Sequence, residues 1–287
     1  MHRLPFAIKS VQIAIPRFLM GKISERLRHA RISEGHCVIC GSYGLLSKAH
    51  VPPRCATTIQ PMFQKTVSEH YSSDEIKPIN AHAGATFKTI CKNCNGNILG
   101  SLDHEIKVPI ENFINQIRQY LAGVHFYGNI ISTPFNAVPF LRAMVGHLLA
   151  ATSVEVCKSD LIDSEYYTPL RKFVLGENKK IRDTHDFYYW FYPNRTQITA
   201  QQTSFFNNGH LCHCSCMHFF PMAFLITFKD EGTDPAHASK LKIDDKKLYF
   251  NMTQGNLDYV AFPFTTLKGN EMLLMTDSFT SASYPQK

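Results

Sequence analysis

The spacing of hydrophobic positions changes character several times along this chain. Leu19, Ile23, Leu27 and Ala30 recur at helical spacing with Lys22, Arg26 and Arg28 off the stripe, which predicts a basic helix ending near Arg31. Strand signals flank Cys37-Val38-Ile39-Cys40 and return over residues 85–90, while residues 56–84 between them are polar and turn-rich and read as a long loop or insertion. Leu99, Leu102 and Ile106 fall on one side of a helix expected over 98–106. Beyond Lys107, helices are expected over 111–121, 137–156 and 168–175, the second apolar enough to be buried. From Thr184 onward, aromatic and β-branched residues predict strands over 186–192, 196–203, 223–229, 247–251 and 258–267. Asn207-Asn208-Gly209 and Asp230-Glu231-Gly232 supply the turn chemistry between them. The fold class is therefore α+β, with a helical segment leading into a mainly antiparallel β-sheet.

With 287 residues, 44% of them hydrophobic, the chain can bury a full core and form one to three domains. Charge divides it unevenly. Residues 1–107 carry 14 Lys/Arg against 7 Asp/Glu, whereas residues 108–287 carry 16 of each. We therefore expect a basic unit over 1–107 and a neutral α+β domain of regulatory, dimerising or ligand-sensing role over 108–287. A basic excess confined to one unit suits a polyanion partner, with a merely solvated surface as the plain alternative. The first 35 residues scatter seven Lys/Arg through short apolar runs, unlike a secretory signal. No uncharged apolar run approaches the ~20 residues of a membrane span. Four of nine cysteines form two C-x-x-C pairs and the rest lack a disulfide framework, so a reducing, cytoplasmic setting is expected.

Those pairs, Cys37-Val38-Ile39-Cys40 and Cys91-Lys92-Asn93-Cys94, bracket His50 in Lys48-Ala49-His50-Val51-Pro52-Pro53-Arg54. Each pair can form a knuckle presenting two thiolates to one zinc ion. Asn95 follows the second pair directly, and Asp103-His104-Glu105 stands one short helix further on. A phosphodiesterase needs a base, a metal ligand and a phosphate-facing cation, and these residue types supply all three.

One knuckle before a hairpin and one at a helix start resembles the treble-clef zinc finger of many HNH (ββα-metal, His-Me finger) endonucleases. The resemblance rests on Cys37-x-x-Cys40, Ala49-His50-Val51-x-Pro53, Cys91-x-x-Cys94-Asn95 and Gly100-x-x-Asp103-His104, about a quarter of the chain. It implies a structural zinc on Cys37, Cys40, Cys91 and Cys94, and His50 as general base. It further implies Asn95 orienting the histidine's loop or holding the metal, and His104 or the adjoining Asp103 as ligand to Mg²⁺ or another divalent cation. Arg54, Lys48 and Lys92, with Lys88, would face phosphates. One departure is Ala49, where the family commonly has an acidic or histidine ligand; Asp103, Glu105 or a residue of the insertion over 56–84 could supply the missing oxygen.

Cys212, Cys214, Cys216 and His218 share one face of a predicted strand, with His213 on the other. Small buried hydrophobes are the plainer reading, since in-line thiols cannot wrap one zinc without ligands from elsewhere. The aromatics of 187–192 likewise read as core rather than as a base-stacking surface. The expectation is an endonuclease acting on DNA, with RNA left open, no membrane partner, and self-association through the C-terminal domain. A bacterial anti-phage defence role follows from the resemblance alone. The rival is a catalytically inactive, zinc-stabilised nucleic-acid-binding module; a third reading is a protein-interaction scaffold.

Overall fold

The strand β7 (His185–Phe191) explains why a nearly unbroken aromatic run folds in the middle of a sheet. Side chains alternate faces along a strand. Phe187 and Tyr189 enter the main apolar core, whereas Tyr188 and Trp190, with Tyr192 just beyond the strand, enter a second cluster with Phe205, Cys212, Cys214, Cys216 and Leu225. A strand buried on both faces needs no polar alternation. The computed structural model describes residues 32–57, 61–67, 69, 77–81, 85–124, 128–178, 180–207, 210–231, 238–252, 260–264, 272–276 and 280–286. The basic helix expected before Arg31 lies outside them.

The first strands are β1 (Glu34–His36), β2 (Tyr43–His50), β3 (Met62–Thr66), β4 (Ile79–Ala81) and β5 (Thr86–Cys91). Then come helix α1 (Gly100–Leu121), β6 (Ile130–Pro134), α2 (Ala137–Ala150) and α3 (Tyr167–Leu175). After β7 follow β8 (Gln197–Asn207), β9 (His210–Phe219), β10 (Met222–Phe228), β11 (Ser239–Leu241), β12 (Lys247–Asn251), β13 (Met272–Thr276) and β14 (Ser281–Pro285). The nine-stranded sheet runs β11-β7-β10-β9-β8-β14-β3-β4, with β13 also on β8, and its pairs are antiparallel. β1-β2-β5 form a separate three-stranded sheet, and β12-β6 a ribbon. Mixed α+β architecture with a mostly antiparallel sheet is thus present.

Several sequence expectations change in the structure. The expected loop over 56–84 contains β3 and β4, which complete the large sheet: β3 pairs with β14, and Gln64 Nε2 donates to Ser283 Oγ at 3.0 Å. The helices expected over 98–106 and 111–121 are one, continuing through Pro109. Its buried stripe of Ile106, Ile110, Phe113 and Ile117 is unbroken, and Phe113 stacks on Phe250 with centroids 3.9 Å apart. That burial offsets the backbone hydrogen bond proline removes. α2 ends at Ala150, where Thr89 Oγ1 donates to the Ala150 carbonyl at 2.6 Å, and a 3₁₀ turn, Val154–Lys158, follows. The strand expected over 258–267 is, at its described residues 260–264, a turn held against the sheet by Trp190 Nε1 donating to Val260 O at 2.8 Å.

Lys107, where the charge changes, lies inside α1, and one apolar core runs from Cys37 to Met252. The division in charge is not a division in packing. α2 sits at the centre: buried over most of its length, it packs on α1, α3, β2, β5, β8 and β9. Among the described residues, no helix is long and apolar enough to cross a membrane.

Candidate metal centre and the histidine strand

The first knuckle turns tightly between β1 and β2: Gly41 N donates to Cys37 O at 2.8 Å, Cys37 N to Ser42 O at 3.0 Å, and Gly41 takes φ +76°. The second begins at the end of β5 and continues through a π-helical turn, Asn93–Leu99, into α1. Cys94 N donates to Cys91 Sγ at 3.4 Å, fixing that sulfur's orientation. Because β2 pairs with β5, Leu46 opposite Cys91, this antiparallel pairing brings the two knuckles together.

All four sulfurs lie within 4.8 Å of one another, and Cys40 Sγ is 3.8 Å from Cys91 Sγ. Four sulfurs at about 2.3 Å around a tetrahedral zinc would stand about 3.8 Å apart, so the donor set fits that ion. Electrostatics agree. The Cys94 thiol donates to Cys37 and lowers the Cys37 pKa to about 5 against the cost of burial, helped by backbone N–H groups of the knuckles. The same bond raises Cys94, and burial raises Cys91. Crowded sulfurs resist carrying several negative charges at once, and a dication removes that penalty.

His50 ends β2, half-buried, opposite Thr86. Two links anchor its strand. Asn95 Nδ2 donates to Ser47 Oγ at 3.0 Å and to Lys48 O at 2.9 Å, and Ser47 Oγ donates on to Ile90 O at 3.3 Å. Val51 N donates to Ala85 O at 3.1 Å. The register slips between Ser47 and Ala49. Ala49 is buried on the strand over which α2 packs.

Asp103 and His104 occupy the first turn of α1. Asp103 O accepts the thiol of Cys55 at 3.3 Å, in the turn Arg54–Ala56 that follows the His50 strand. Burial, then the Asp103 charge, raises the Cys55 pKa to about 12. Asp103 Oδ1 lies 3.3 Å from Nε2 of His147 on α2, a contact sequence reasoning missed. His104 is exposed, and Glu105 accepts the Asn136 amide at 2.9 Å. Among the described residues, only the four cysteines bring three or more His, Cys, Asp or Glu ligand atoms that close together; His50, Asp103 and His104 do not form such a group. Arg54, Lys48 and Lys92 are exposed, while Lys88 Nζ donates to Ile32 O at 2.9 Å. Cys212, Cys214 and Cys216 are buried in the second apolar cluster, and Cys212 Sγ donates to Glu231 Oε2 at 3.1 Å.

No protein-family model, curated protein or solved structure matches this chain. Its function rests on the chemistry of the site.

Proposed function

We propose that this chain is an HNH endonuclease built on a treble-clef zinc finger and hydrolysing phosphodiester bonds in DNA. The observation that carries the reading is the hydrogen bonding of Asn95. From the residue after the second knuckle it clamps the strand two and three positions before His50. A base must be held within hydrogen-bond reach of its water, and a clamp from the metal knuckle gives the strand that rigidity.

In this reading neutral His50 takes a proton from the attacking water. The water oxygen bonds to phosphorus, and the phosphorus–O3′ bond breaks to leave a 5′-phosphate and a 3′-alkoxide, which takes a proton from solvent water to become the 3′-hydroxyl. A divalent cation, Mg²⁺ or a relative, held at the start of α1 would stabilise charge on the phosphate and the leaving oxygen. Exposed Arg54, Lys48 and Lys92 hold neighbouring phosphates. Zinc on the cysteines organises the scaffold and takes no part in bond breaking. A role in anti-phage defence, a cytoplasmic location and self-association remain expectations of the resemblance and composition. Ala49 favours the second reading, a nucleic-acid-binding module without catalysis, because this buried strand position carries no ligand.

The test is cleavage of supercoiled plasmid in Mg²⁺, Mn²⁺ or Ni²⁺, with Asn95→Ala beside the wild type. The nuclease reading expects metal-dependent nicking that falls at least tenfold in the variant while zinc stays bound. Binding without nicking in any metal establishes the second reading.

A further inference from the structure

We propose that Tyr43 and Leu45, on the solvent face of β2, form a slot for one unpaired base of the bound DNA. The strand that carries His50 thereby selects a single-stranded, flapped or bulged stretch beside the cleaved bond. This deepens the nuclease reading and rests on it for the partner's purpose, though not for the slot itself.

Just beyond the first knuckle the two faces of β2 are unlike. Gly35 and Gly44, paired across β1 and β2, lie on the packed face, where a Cβ at Gly35 would stand 2.7 Å from the Cys157 carbonyl oxygen. Tyr43 and Leu45 point the other way, as strand alternation requires, and are 66% and 69% exposed. A single apolar side chain on a surface is ordinary, but two in succession along one strand face form an apolar strip. Side chains two residues apart on a strand stand about 6.7 Å apart. That is twice the ~3.4 Å between stacked bases, so one base fits between the Tyr43 ring and the Leu45 side chain. The ring is already held: His36, opposite it on β1, packs edge-on against it with centroids 5.1 Å apart. His36 Nδ1 in turn lies 3.2 Å from Gly41 O and 3.1 Å from Asp160 Oδ1. An ordered ring stacks a base at a smaller cost in entropy.

Charge and position name the occupant. Lys48 lies three residues beyond Leu45 on β2, and Lys92 directly follows Cys91, whose strand partner is Leu46; both lysines are exposed. Of the acids nearby, Asp160 is engaged by His36, and Glu34 stands opposite Leu45 on β1. The phosphate backbone therefore runs on the lysine side of β2, and the base turns in over the strip. His50 is about 16 Å further along the same strand, a reach of a few nucleotides. In a duplex both faces of each base are already stacked, so only an unpaired or extruded base can enter. Tyrosine rings stack on bases of any sequence, and leucine serves as an apolar wedge between them.

Binding by the full zinc-loaded chain, with no other divalent cation added, tests this without requiring turnover. The probes are a short oligodeoxynucleotide carrying one 2-aminopurine and the same strand paired with its complement, followed by anisotropy and by base fluorescence. Wild type should bind the single strand at least about fivefold tighter than the duplex and quench the 2-aminopurine. Tyr43→Ala and Leu45→Ala should each lose about 5–100-fold on the single strand, and with it the preference and the quenching. Tyr43→Phe, whose ring still stacks, should keep both. Leu121→Ala, 76% exposed at the far end of α1, should match wild type. Unfolding midpoints are read alongside, and Tyr43→Leu, apolar but without a ring, replaces Tyr43→Ala should that variant fail to fold. A wild type with no preference or quenching overturns the proposal, as does a folded Tyr43→Ala or Leu45→Ala that keeps them. Lowered midpoints with unchanged binding mean that another part of the chain covers the strip, and overturn it too. Plasmid cleavage by the same proteins separates the two ideas. The expected binding pattern without cleavage in any metal removes the nuclease and leaves the slot. Cleavage by a wild type that shows no preference does the reverse.

Discussion

Replacing Cys91 with Ser should remove the zinc and unfold the whole chain rather than its N-terminal part. The substitution exchanges a soft sulfur at the end of β5 for a shorter, weaker oxygen ligand, in a set whose sulfurs now lie within 4.8 Å of one another. Structural zinc contributes roughly 10–16 kcal/mol in small zinc-dependent folds, comparable with the whole ~5–15 kcal/mol stability of a typical domain. The loss cannot stay local. Cys37, Val38, Ile39 and Cys94 are almost fully buried and belong to the same core as Phe140, Leu170 and Phe224. Elemental analysis should find about one zinc per wild-type chain and little in Cys91→Ser. Thermal unfolding should be a single transition, shifted sharply downward by strong chelators. A zinc-free wild type with an unchanged midpoint would refute the metal centre, and two transitions with only one metal-sensitive would refute the single core.

Three further outcomes follow from particular residues. Burial holds His185 neutral, with its pKa lowered from 6.5 to about 4. The unfolded state therefore binds more protons below pH 6.5, and stability falls between pH 6.5 and 4 by up to about 3 kcal/mol. His185→Phe should flatten that part of the urea-unfolding profile, and an equally steep profile in the variant contradicts the assignment. Gly146→Ala should lower the melting midpoint, because its Cβ would collide with buried Leu99 and stand 3.2 Å from Val174 Cγ1. Overpacking of about 1–3 kcal/mol outweighs the ~1 kcal/mol helix preference of alanine, so a rise in midpoint would refute it. Changing Lys22, Arg26 and Arg28 to Gln should reduce the salt dependence of DNA binding by up to about three in log–log slope; an unchanged slope means these residues do not contact phosphate.

How much could be read from the chain beforehand depended on how far each partner lay along it. The cysteine pairs were legible because each knuckle is local, and the pairing of β2 with β5 needed only to bring Leu46 opposite Cys91. β7 was legible from its aromatics, and the burial of Cys212, Cys214 and Cys216 from their alternation. Strand β3 was not, since Gln64 finds its partner Ser283 219 residues away. α1 was read as two helices, over 98–106 and 111–121, because the stripe that carries it past Pro109 gains its stability only from tertiary contacts. His147 was hidden in an apolar helix, with its partner 44 residues distant. The charge was counted correctly but assigned too broadly. Residues 1–31 carry seven Lys/Arg against Glu25 alone, so most of the excess lies before the cysteine knuckles rather than around them.

The central claim is that His50 is the base of a phosphodiesterase. Its most direct measurement is single-turnover cleavage of end-labelled DNA by wild type and His50→Ala, matched for zinc content and DNA affinity. Wild type should give 5′-phosphate products, and the variant should lose at least a hundredfold in cleavage with binding within about twofold. Equal cleavage by the two proteins, or none by the wild type in any divalent metal, would contradict it.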